Sequence, residues 1–79
     1  MNLKRTVKAV IWRDEPPWYV AECHDIGVVT QGRTLDEVTA NLREAVELYF
    51  EDEDPREFGF AMKPIIVVTY ELEEAYAEA

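Results

Sequence analysis

Between Leu3 and Arg13 the apolar positions alternate, with Val7, Ala9 and Ile11 on one side and Lys4, Thr6, Lys8, Val10 and Trp12 on the other. Period two predicts a half-buried strand. Asp14-Glu15-Pro16-Pro17 follows, polar and then proline-locked, which suits a hairpin connection and excludes a central strand. Trp18 to Cys23 resumes the alternation, Tyr19, Ala21 and Cys23 facing away from Trp18, Val20 and Glu22. The first two strands are therefore expected to be antiparallel neighbours. His24-Asp25-Ile26-Gly27 breaks the run, and Val28 to Gln31 makes a third, shorter strand ending at Gly32.

From Gly32 onward the period becomes helical. Thr34 followed three residues later by Glu37 reads as a capping box, the hydroxyl taking an orphan backbone N–H and the carboxylate reaching back to the cap. Leu35, Val38, Leu42, Ala45, Val46 and Tyr49 then form one apolar stripe opposite Asp36, Glu37, Arg43, Glu44 and Glu47. The helix is expected to stop near Phe50. Glu51, Asp52, Glu53 and Asp54 put negative charge at the negative end of its dipole, and Pro55 forbids continuation. Gly32 is expected to supply a positive φ or a tight turn, and no phosphate-binding glycine pattern accompanies it. Glu51 to Lys63 reads as a connection that tucks Phe58 or Phe60 onto the core. Pro64 to Leu72 is the most β-prone run, and its nearly continuous apolar character predicts a strand covered on both sides for part of its length. Glu73 to Ala79 permits a helix but is too short to hold one unaided.

The order is β-β-β-α-β in a single α+β domain spanning residues 1–79, with a three- to four-stranded sheet and one helix packed on one face. A last strand that follows a helical crossover can join parallel to a neighbour. The opposite face would carry Val10, Trp12 and Trp18 with nothing to cover it, so a homo-oligomer or an obligate partner is expected.

Charge narrows the partner. Seventeen acidic residues against 8 basic give a formal net charge of -9, which repels phosphate backbones and anionic membrane surfaces and favours a basic protein. No apolar run approaches the roughly 20 residues that span a bilayer, and the N-terminus has no hydrophobic signal core, so a cytoplasmic location is expected. The single Cys23 fits a reducing compartment. A two-metal nuclease needs several carboxylates converging from adjacent strands. Within the predicted strands acids occur at Glu22 and Glu71, and Asp14, Glu15 and Asp25 fall in turns. His24 stands between Cys23 and Asp25, but neighbours on an extended chain point in opposite directions. No catalytic, cofactor or metal site is expected.

The segment Y-V-A-E-C-H-D-I-G-V-V-T-Q-G-R-T-L-D-E-V-T-A-N-L-R-E-A-V-E-L-Y resembles the signature of HicB-like antitoxins at Asp25, Gly27, Thr30, Gly32, Thr34, Glu37, Asn41, Glu44 and Ala45. The likeness runs from about Val7 to Leu72, and most of the retained residues mark caps, turns and packing. It implies a truncated ribonuclease-H-like fold, and a role as the inhibitor of a small basic HicA-like ribonuclease toxin that cleaves messenger RNA. Such antitoxins usually carry a C-terminal DNA-binding segment; with the chain ending at Ala79, operator binding is not expected. Their proline-glycine-cysteine corner is here Ile26-Gly27-Val28. The candidate partner contacts are Trp12, Trp18, Glu22, Asp25, Glu51, Asp52, Glu53 and Asp54, with apolar anchors supplying affinity and acids steering encounter. The competing readings are a free-standing oligomeric protein-binding module with no toxin, and a divalent-metal-dependent nuclease.

Overall fold

Val7, Ala9 and Ile11 are almost wholly buried, as are Ala21 and Cys23, so the alternation read in the first two strands is the alternation between two faces of a sheet. A computed structural model describes residues 3–72; the helix-permissive stretch Glu73 to Ala79 lies outside them. The strands are β1 (Lys4–Arg13), β2 (Tyr19–Cys23), β3 (Val28–Gly32) and β4 (Phe60–Glu71), with one helix, α1 (Leu35–Asp52), between β3 and β4. The sheet order is β3-β2-β1-β4. β1 to β3 form an antiparallel meander, and β4 returns parallel to β1. This is the expected α+β arrangement in the order β-β-β-α-β.

The helix begins where its cap requires. Thr34 Oγ1 accepts from the Glu37 N–H at 2.9 Å, and the Glu37 carboxylate accepts from the Arg33 N–H at 2.7 Å. The reach backward thus goes one residue beyond the cap. Val38, Leu42 and Val46 share one core with Val7, Ala9 and Ile11 of β1 and Ala21 and Cys23 of β2, together with Ile26 and Phe60. Leu35, counted in the stripe from its spacing, sits at the margin and stays 38% exposed. Beyond the helix, Asp54 caps a 3-10 turn, Pro55–Phe58. Phe50 meets Phe60 with ring centroids 6.1 Å apart, and Tyr49 meets Phe58 at 5.5 Å. The expected return of an aromatic to the core is made by Phe60.

Four expectations need correction. α1 runs to Asp52, two residues past Phe50, because acids near an exposed helix end cost only some tenths of a kcal/mol each and Pro55 lies beyond the last turn. β4 starts at Phe60, not Pro64; it is an edge strand, and it is not covered on both sides, since Ile65 and Val67 on one face and Val68 on the other are all exposed. Between the pairs Lys4–Phe60 and Thr6–Ile65, β4 advances five residues while β1 advances two, a bulge that contains Lys63 at φ +52°. Gly32 does not have a positive φ. It is needed because a Cβ there would lie 2.6 Å from the backbone nitrogen of Val38.

Gly32→Ala should therefore force β3 and the first turn of α1 apart, at a cost of roughly 1–3 kcal/mol. Thr34→Ala should cost about 1 kcal/mol through the lost cap. Urea unfolding followed by circular dichroism measures both, and a Gly32→Ala midpoint equal to wild type would show that the junction relaxes freely.

Candidate functional site

Register places every residue of the reverse sheet face. Trp12 lies between Val20 on β2 and Glu71 on β4, and Val10 between Glu22 and Thr69. Val20 is opposite Gln31, and Glu22 is opposite Val29. No described element lies over this face. Its central apolar members Val10, Trp12 and Val20 are half-buried, while Val29, Ile65 and Val67 are exposed. Lys8, Glu22, Gln31 and Glu71 interrupt the apolar residues, so the face is more mixed than the three residues singled out from sequence imply. Trp18, just before β2, has the Arg33 guanidinium 5.3 Å from its ring centroid, a cation–π contact across the hairpin to the start of α1.

The acidic candidates divide. Glu22 is half-buried on β2, with its carboxylate 3.4 Å from the imidazole of the exposed His24. Asp25 is exposed in the 3-10 turn His24–Ile26, which closes on Gly27 at φ +66°. Glu51 and Asp52 occupy the last turn of α1 and Glu53 its cap, all exposed, with no basic residue in that turn. Asp54 differs from them. It accepts from the Arg56 N–H at 2.9 Å and holds the Arg56 guanidinium at 2.7 Å. These hydrogen bonds keep its carboxyl below the usual carboxylate range. The free acidic group is thus Glu51 to Glu53, and Asp54 is a structural cap.

The candidates do not form one patch. The Lys4 N–H donates to Gly59 O at 2.8 Å, fixing the exit from α1 at the start of β1. Trp12 lies eight residues along that strand, about 26 Å away at ~3.3 Å per residue. Trp12 and Trp18 are therefore at one end of the sheet and the acids of α1 at the other.

Beside the acidic end is a feature that patterning missed. α1 packs over β2 and β3 and leaves β4 aside, so an open groove of about 630 Å³ runs between Arg43, Glu47 and Phe50 on the helix and Met62, Pro64 and Ile66 on the strand. Val68, which register puts on the helix side with Ala9, stays 39% exposed as a result. Nothing in the spacing of these residues marks the groove, because it arises from where the helix lies across the sheet.

Cys23 is fully buried. Desolvation, then the nearby Asp25 charge, push its thiol up to about 11 against a hydrogen bond from the Ile26 backbone, so it is protonated at neutral pH. Among the described residues no group of three or more His, Cys, Asp or Glu side chains could hold a metal ion. No helix among them is long and apolar enough to cross a membrane.

The chain is 34% identical over 62 residues to a UPF0150 protein of Helicobacter pylori (strain J99 / ATCC 700824), an alignment that covers 78% of this chain and 86% of that relative. No protein-family model matches the chain, and no solved structure matches it.

Burial makes a prediction for the thiol. At pH 8 the native protein should react with an aromatic disulfide reagent at least tenfold more slowly than the urea-unfolded chain. The raised thiol also links folding to pH: unfolded Cys23 ionises from about 9 and the folded thiol only near 11, so its contribution is intact below pH 9 and lost as pH rises toward 11. A native reaction as fast as the unfolded one would place Cys23 at the surface.

Proposed function

The chain belongs to the UPF0150 protein family, and on that footing we propose that it is a HicB-like, non-catalytic antitoxin that binds a small basic mRNA-cleaving toxin and covers its RNA-binding face. The observation that carries this reading is the acidic end of α1. Glu51, Asp52 and Glu53 oppose the helix dipole with no basic side chain in the last turn, an arrangement that costs the free protein some tenths of a kcal/mol per residue. A basic surface set against them reverses the sign of that term.

The groove beside these acids supplies what charge alone lacks. Phe50, Pro55 and Met62 offer apolar surface for an anchoring side chain, and Glu47 and Glu51 line the same cavity alongside Arg43 and Lys63. Apolar contact at the centre with charge at the rim is the division of labour common in protein interfaces. This reading moves the anchor from Trp18, which Arg33 already occupies, to the groove. Glu22 and Asp25 are then peripheral acids that contribute to steering.

The test uses a purified small basic ribonuclease of the HicA-like class and an RNA substrate. Wild-type protein in excess should suppress cleavage. The triple variant E51Q/D52N/E53Q should associate about tenfold more slowly at low salt, with the difference shrinking as salt shortens the Debye length. Undiminished cleavage in the presence of excess wild-type protein, with no complex on gel filtration, would sink the proposal.

A further inference from the structure

Packed helices lie about 8–10 Å apart and neighbouring strands about 4.8 Å, so a second helix laid beside α1 falls two strands over. α1 packs over β3 and β2. The sheet order β3-β2-β1-β4 puts that second position above β1 and β4, where the groove lies. Its floor is apolar. Ile66 and Val68 stand at period two on the helix side of β4, and Val68 is 39% exposed. The opening is therefore one helix wide.

The walls carry charge in a fixed order. Arg43, Glu47 and Glu51 recur every fourth residue along the groove side of α1, a span of two turns or about 12 Å. This rail is positive at one end and negative at the other, where Asp52 and Glu53 follow Glu51. Phe50 of α1 meets Phe60 of β4, so β4 begins at the acidic end, and Lys63 lines the strand wall there. Among the described residues none of Arg43, Glu47, Glu51 and Lys63 makes an ion pair. A helix is positive at its N-terminus and negative at its C-terminus. One laid antiparallel to α1 sets its N-terminus against Glu51 to Glu53 and its last carbonyls against Arg43. Laid parallel, it meets like charge at both ends.

We infer that the groove takes an amphipathic helix of the basic partner, running antiparallel to α1 as a second helix on the sheet. Such a helix lays an apolar stripe on Phe50, Ile66 and Val68, turns lysine or arginine toward Glu47, and carries a carboxylate in its first turn toward Lys63. This names the element by which the partner proposed above binds and so rests on that reading, but the occupancy of the groove is tested apart from it.

The probe is a hydrocarbon-stapled model helix of about three turns, with leucines on one stripe, a glutamate in its first turn and lysines on the flank toward α1; a second peptide has these charges exchanged. Titrated into the isotope-labelled full chain, the first should shift the amides of Glu47, Glu51, Ile66 and Val68 and bind about tenfold more tightly than the second. A nitroxide on the N-terminus of the first peptide should broaden Glu51 to Glu53, and one on its C-terminus Arg43. Val68→Glu puts a charge on the exposed floor and should abolish binding with the circular dichroism spectrum unchanged. Glu47→Lys, on the helix surface, should erase the preference between the peptides and still decides if Val68→Glu fails to fold. Neither peptide binding at millimolar concentration, equal affinity for the two, the opposite pattern of broadening, or a groove already filled in the free chain by residues 73–79 or by a second copy would overturn the inference. The two readings separate: peptide binding with no binding of the basic ribonuclease sinks the toxin reading alone, and ribonuclease binding unchanged by Val68→Glu sinks this one alone.

Discussion

An α-helix with its side chains is about 10 Å across and neighbouring strands lie about 4.8 Å apart, so one helix laid on a four-stranded sheet shields about two strands. Which two is decided at β3. The missing Cβ of Gly32 lets the first turn of α1 come against the strand end at Val38, and Asn41 Nδ2, less than one turn beyond Val38, donates to Gln31 O at 2.8 Å. Both ties hold the helix to the β3 side. β4, three positions away in the sheet, is left with an open groove above it and a free edge beside it. The exposed features of the molecule follow from this mismatch of widths and not from any excess of apolar residues.

Sequence patterning worked wherever one face of an element was buried and the other was not. β1 and β2 alternate because Val7, Ala9, Ile11, Ala21 and Cys23 face α1, and α1 is legible because Val38, Leu42 and Val46 recur against that surface. It failed on β4. A run such as Ile65 to Val68 has the same signature whether a strand is enclosed by two layers or lies at an edge awaiting another chain, since both environments select branched side chains on both faces. Gly32 was legible as a constraint but not as to its kind, because a positive φ and a close approach call for the same residue. The candidate acids were individually visible, but their grouping was not. Only coordinates separate Asp54, bound to Arg56, from Glu51 to Glu53, and place both far from Trp12 and Trp18.

Charge in this chain is therefore not a uniform coat. Where an acid serves the fold it is partnered: Glu37 closes the start of α1, and Asp54 caps the next turn while neutralised by Arg56. Where it opposes the fold, at the end of α1, it has no basic neighbour in the turn. Such local conflict persists in a marginally stable small domain when the residues answer to something other than folding, and binding is the common case.

Electrostatics bears with opposite signs on a basic partner and on a second copy of the chain. Attraction to a basic partner is long-ranged and acts through exposed acids, so salt screens it. Two copies of a chain of net charge -9 repel overall, and the same screening relieves them. The edge from Ile65 to Thr69 itself carries no charge. Backbone pairing and burial of branched side chains act at contact distance and are not screened.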